Sequence, residues 1–268
     1  MNLSVKLAVG AALTIASVGA FANSLPSGGD GSLYVTIFSE NDATPFSYAF
    51  DTGTTFSQNG VAALSTPGTK IVYNLTGLAA DLAANPAAAA GGLVFDVVAG
   101  SQSGGIQTVG SFKLEMTFDN SVSLATVQGI QSGAVSAGVA ATTKYLTNIT
   151  VNPFFTTNTS DPAYANANYN AALETFAVNS AGSTSESLPF YLLTSARGTT
   201  SIGTTTQYAG TWSVDLTKDT LTYTVAGGGT APVPLPASVW LMISGLAGVA
   251  VLGRRRKNSG MDFSGAAA

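Results

Sequence analysis

From Leu235 to Gly253 the chain runs 19 residues without a charge, and four consecutive cations, Arg254, Arg255, Arg256 and Lys257, follow at once. An apolar run of that length matches what an α-helix needs to cross a hydrocarbon core of roughly 30 Å. A helix also satisfies its own backbone hydrogen bonds, which lipid cannot do for it. Trp240 lies near one end of the run, where an amphipathic ring suits the membrane–water boundary. The cation block resists translocation and marks the cytoplasmic side. Pro234 and Pro236 stand just before the helix, where a missing N–H does little harm and the chain stays extended. The expectation is one transmembrane helix over 237–253 with a cytoplasmic tail over 258–268.

The order of the parts is more specific than a bare anchor. Val233-Pro234-Leu235-Pro236-Ala237, then the apolar helix, then Arg254 to Lys257, resembles the PEP-CTERM family of sorting tails in its Val-Pro-Leu-Pro-Ala variant. The likeness covers residues 233–257 and carries no information on the fold upstream. Leu235 stands where the family's Pro-Glu-Pro has its Glu, and the tail beyond Lys257 is longer than the family pattern. The resemblance implies recognition by an exosortase, a membrane-embedded protease-transferase of Gram-negative bacteria, with the proline motif as its substrate site. The plainer alternative is a single-pass anchor that is never processed.

Residues 1–22 read as a secretory leader. Lys6 charges its start, Leu7 to Val18 is an apolar stretch too short to span comfortably, and Ala20-Phe21-Ala22 is a small-x-small cleavage site. The Sec machinery and signal peptidase are the implied partners, with a mature chain from Asn23. Residues 23–232 are then outside the inner membrane and Arg254 onward inside.

Composition agrees with an exported life and removes several chemistries. The chain has no Cys and no His, so most transition-metal sites and most proton-shuttle mechanisms lack their residues. About 200 residues bury enough apolar surface to fold without disulfides. Between residues 23 and 232 five cations face thirteen acids, a net charge of −8 that the whole-chain value of −4 hides. An acidic exported domain argues against nucleic acid, and against anionic membrane surfaces, as partners.

The mature region reads as spaced strands. Leu33–Phe38, Pro45–Phe50, Lys70–Leu75 and Leu93–Val98 are short apolar or β-branched runs bounded by Gly, Asn and Asp. Ser111–Phe118 alternates with Phe112, Leu114, Met116 and Phe118 on one face, and Lys113, Glu115 and Thr117 on the other. That pattern predicts a strand with one side on a core and one in water. Residues 208–216 and 220–225 alternate about Thr217-Lys218-Asp219 and predict a hairpin with matched apolar faces. Ala79–Ala90 is read as a short helix or a loop, residues 121–145 fit neither period, and Ala171–Phe176 suggests a short helix. The fold expected over 23–225 is all-β, an antiparallel β-sandwich of two sheets, followed by a Gly-rich linker over 226–232.

Other candidate sites are weaker. Asp51-Thr52-Gly53 resembles the Asp-Thr-Gly loop of aspartic proteases, which implies a carboxylate sharing a proton with a second one. The chain has one such loop, so a turn with Asp51 as its cap and Gly53 at positive φ is the competing reading. Glu40-Asn41-Asp42 and Asp119-Asn120 offer oxygen ligands near turns but no calcium loop. The resulting expectation is a non-enzymatic cell-surface or biofilm-matrix protein without cofactor or metal. The alternatives are a carbohydrate-binding or adhesive module using exposed aromatics on an exopolysaccharide and, less favoured, a hydrolase built on Asp51.

Overall fold

A computed structural model describes residues 12–14, 31–55, 64–166 and 181–227. The unit to which they belong ends at Gly227. The strands are β1 (Ala12–Thr14), β2 (Ser32–Phe38), β3 (Ser47–Thr55), β4 (Lys70–Asn74), β5 (Val94–Gln102), β6 (Phe112–Thr117), β7 (Phe154–Thr156), β8 (Gly182–Ser183), β9 (Ser187–Thr194), β10 (Thr204–Asp215) and β11 (Thr220–Val225). The helices are α1 (Leu78–Ala84), α2 (Pro86–Ala90), α3 (Leu124–Gln128) and α4 (Ser132–Asn148).

All strands belong to one sheet, in the order β1-β4-β11-β10-β9-β6-β5-β2-β3-β7, with β8 also on β5. Every pairing is antiparallel except that of β1, which lies within the expected leader, with β4, matching Ala12–Thr14 to Lys70–Val72. The two separate sheets expected from the sequence are therefore a single sheet, because β6 hydrogen-bonds both to β5 and to β9 and joins the halves.

The sheet curls around one of its faces. Leu33, Val35, Phe50, Tyr73, Phe95, Phe190, Trp212 and Tyr223 point into that concave interior, with Leu78, Leu82 and Ala88 of α1 and α2 against them. Each such side chain taken out of water contributes about 1.5–3 kcal/mol. Three phenols of this interior hydrogen-bond to groups on other segments of the chain. Tyr48 donates to the Thr76 carbonyl (3.1 Å), Tyr223 to that of Leu64 (2.6 Å), and Tyr73 meets Thr54 Oγ1 (2.8 Å). The last contact joins β4 to β3, strands from opposite wings of the sheet order, and so marks closure. An aromatic body with a polar tip is suited to this role.

The convex face of β5, β6 and β9 is covered by α4. Val135, Val139, Tyr145 and Leu146 meet Tyr34, Phe38, Val98, Leu114 and Met116 there. The central strands are thus covered on both faces, and this overturns one expectation. Glu115 and Thr117 do not look into water: they are 1% and 0% exposed, because their face is the concave interior.

Gly203 shows how closely the loop before β10 approaches β9. A Cβ there would lie 1.9 Å from the Thr194 carbonyl oxygen, which is fixed in the sheet. Gly203→Ala is expected to lower the urea-unfolding free energy by about 2 kcal/mol.

Among the described residues no helix is long and apolar enough to cross a membrane. The expected helix over 237–253 lies outside them, as does the one through Ala171–Phe176.

Candidate functional site

Of the residues marked by sequence, the structure describes Asp51-Thr52-Gly53 and the turn residues Glu40, Asn41, Asp42, Asp119 and Asn120. Ala20 and Ala22, the motif Val233, Pro234, Leu235, Pro236 and Ala237, and the cations Arg254, Arg255, Arg256 and Lys257 all lie outside the described residues.

Asp51 sits in a bulge inside β3, not in a turn after it. Ser32 pairs with Thr55 and Tyr34 with Asp51, so one residue of β2 faces three of β3. The surplus is absorbed at Gly53, whose φ of +69° suits a residue without Cβ. The Asp51 carboxylate accepts the Gly53 N–H at 2.8 Å, closing the local loop. Its backbone is bracketed by one side chain: Asp51 N–H donates to Asn152 Oδ1 (3.0 Å), and Asn152 Nδ2 donates to the Asp51 carbonyl (2.9 Å). The Asn152 amide thereby extends the ladder begun by β7.

Burial is the largest influence on the Asp51 carboxyl and holds it above the usual carboxylate range, while the Gly53 N–H and the hydroxyls of Tyr34 and Ser32 pull the other way. None of these influences is a second carboxylate, so the geometry is that of one acid held by its donors rather than a proton-sharing pair. A raised folded-state value means that the native protein keeps this proton to higher pH than the unfolded chain does. The associated stability is complete below the ordinary carboxylate range and is lost as pH rises through the folded-state value. Asp51→Asn should flatten that part of a stability-against-pH curve measured by urea unfolding.

The turn acids are occupied locally. Asp42 Oδ1 lies 3.4 Å from the Tyr164 hydroxyl and 3.3 Å from Asn166 Nδ2, and Asp119 Oδ1 accepts the Ser121 N–H at 2.8 Å. No group of three metal-binding side chains occurs among the described residues. Exposed aromatics for stacking on a sugar are likewise missing among the described residues, whose Trp, Tyr and Phe side chains are buried or half-buried. The outward hydroxyls of β10 and β11 form the polar face instead, with Thr211 opposite Thr224 and Ser213 opposite Thr222.

Sequence reading missed a buried acid. Glu115 points into the concave interior and accepts a hydrogen bond from the Tyr208 hydroxyl. Burial, and then the Glu115 charge, hold the Tyr208 phenol well above its usual range, so it stays protonated and donates. Tyr208 points inward on the same alternation as Trp212 and Val214, and the β9–β10 register breaks there, between Gln207 and Thr211. Within that break the Gly210 N–H donates to the Tyr223 hydroxyl at 3.0 Å. Burial pushes the Tyr223 phenol up to about 12, with the Glu115 charge adding to the rise. Glu115, Tyr208 and Tyr223 are all buried.

No family model, no curated protein and no solved structure matches the chain.

Proposed function

We propose that the protein is an exported, non-enzymatic cell-surface or extracellular-matrix protein. In this reading it is delivered by its leader, held by the helix over 237–253, and cut by an exosortase near Pro234-Leu235-Pro236-Ala237. The observation that carries the reading is the uninterrupted order of proline motif, apolar segment and cation block over residues 233–257. The end of the folded unit at Gly227 supports it, because the motif then follows within a few residues on a Gly-rich connection, where a membrane enzyme has access.

Mass spectrometry of the cell-surface form tests this. The expected chain begins at Asn23 and ends within or just before the 233–237 motif. A surface form that still carries Arg254 to Lys257 overturns the sorting reading. Replacing Arg254, Arg255, Arg256 and Lys257 by Asn is expected to let a C-terminal reporter reach the periplasm, where the native chain keeps it cytoplasmic.

The second reading is a glycan-binding or adhesive module. The hydroxyl face of β10 and β11 favours it over a fully apolar or charged surface. Binding to exopolysaccharide that is lost in a Thr211→Val, Thr222→Val, Thr224→Val variant would establish it.

A further inference from the structure

Charge is sorted between the two rims of the sheet. Strand directions point the starts of β2, β4, β6 and β10 and the ends of β3, β5, β9 and β11 toward one rim, with the end of β11 and the start of β4 level with Gly210 and Thr211 of the longer β10. Lys70 opens β4, Lys113 lies at the start of β6, and Arg197 lies in the loop between β9 and β10, so three of the five mature-region cations belong to this rim. Lys70 and Arg197 are exposed, and no exposed carboxylate among the described residues shares the rim with them. The opposite rim carries Glu40 and Asp42 after β2, Asp81 on α1, Asp119 after β6, Glu186 just before β9, Asp215 at the end of β10 and Asp219 just before β11, with Lys218 paired to Asp215 as a cation among them. Like charges crowd there: the Asp81 carboxyl is raised first by burial and then by Asp219.

The cationic rim also carries two bare aliphatic side chains, Val109 at 71% and Ile202 at 58% exposure. Their loops are tied together by the Gly110 N–H to the Ser195 carbonyl (2.7 Å) and the Gly198 N–H to the Ile106 carbonyl (2.9 Å). The chain leaves the unit at this same rim, because β11 ends there at Val225. The connection over 226–234, fully extended, reaches roughly 30 Å before the apolar segment begins.

We propose that this rim rests on an anionic phospholipid surface, with Lys70 and Arg197 on the headgroups and Val109 and Ile202 at the interface, so that the acidic rim faces outward. The proposal deepens the membrane-held state proposed above and rests on it. The net charge of −8 does not oppose it. Strands of this length separate the rims by roughly 20–40 Å, whereas charges are screened over about 8 Å at physiological salt. The surface therefore meets the near rim and not the average.

The chain contains no cysteine, so single labelling sites can be placed cleanly. Full-length protein carrying Ile202→Cys, or Thr217→Cys on the opposite rim, is labelled with an environment-sensitive fluorophore. It is then reconstituted in vesicles of phosphatidylcholine alone, or with added phosphatidylglycerol, containing brominated lipid as quencher. The expected result is quenching at position 202 and not at 217, only with phosphatidylglycerol, reversed by high salt. Lys70→Gln with Arg197→Gln should lower the docked-to-free ratio about 25-fold, since one cation near such a surface is worth about fivefold. Quenching that is equal at both positions, equal in both lipids, or insensitive to the two substitutions overturns the proposal. A label that responds to a soluble polyanionic polysaccharide and not to phosphatidylglycerol also overturns it. Flotation of the same vesicles separates the two readings. Protein that fails to float refutes the membrane anchor, whereas protein that floats with position 202 unquenched refutes the docked rim alone.

Discussion

Trp212→Ala is expected to lower the unfolding free energy by about 3–5 kcal/mol, the largest loss from any single substitution considered for this fold. Trp212 is 1% exposed on β10 and stands at the centre of the concave interior. Its ring lies 4.9 Å from Tyr223, 5.8 Å from Phe190 and 6.1 Å from Tyr73, centroid to centroid. Those neighbours sit on β11, β9 and β4, so one side chain ties four consecutive strands of the curl. Removing it loses the transfer energy of an indole and leaves a cavity that strands locked in register cannot close. Val139→Ala on α4 removes only two methyl groups from the other core and should lower stability by about 1–2 kcal/mol. Urea unfolding followed by far-ultraviolet circular dichroism compares the two. A Trp212→Ala loss no greater than that of Val139→Ala would show that the concave interior is not the main core.

The strands were legible wherever short-range pattern and structure ask for the same thing. The hairpin read at 208–216 and 220–225 is the pair β10 and β11, with Trp212 opposite Tyr223 and Val214 opposite Leu221, all facing inward. The helix α4 was not legible, because it is made of residues with little periodic contrast. Over Ser132–Asn148 the large buried side chains are Val135, Val139, Tyr145 and Leu146, spaced by Gly, Ala, Ser and Thr. Only a sheet face waiting for a thin cover makes that a helix, and such a partner lies far away in sequence. The union of the halves through β6 was hidden for the same reason: closure depends on which strands pair, and alternation within a strand does not specify its neighbours.

The candidate site divides along the same line. Asp51 and Gly53 were readable as a carboxylate capping a glycine at positive φ, because that bond spans two residues. Their place inside a bulge, with Asn152 completing the ladder from about a hundred residues on, was not. Glu115 shows the rule failing outright. Alternation assigns polar residues to water, and on an edge strand that holds. On a central strand of a curled sheet both faces are interior, and the polar face must find partners instead.

That partnership gives the second large effect. Tyr208→Phe is expected to lower stability by about 3 kcal/mol, although it deletes a single oxygen and keeps the ring that stacks on Phe190 at 5.1 Å. The deletion takes a donor from a carboxyl group that is 1% exposed, and a buried charge deprived of a partner is penalised more than a neutral group would be. Glu115→Leu with Tyr208→Phe together should therefore be less damaging than the two single losses added. The polar oxygen and its acceptor leave at the same time, so neither of the two is left buried without the other. A double-mutant cycle in urea reads the difference as a coupling energy of about 1–3 kcal/mol. Additive losses would mean that the hydroxyl and the carboxylate do not support one another, and that the curl at the β10 register break is held by ring packing alone.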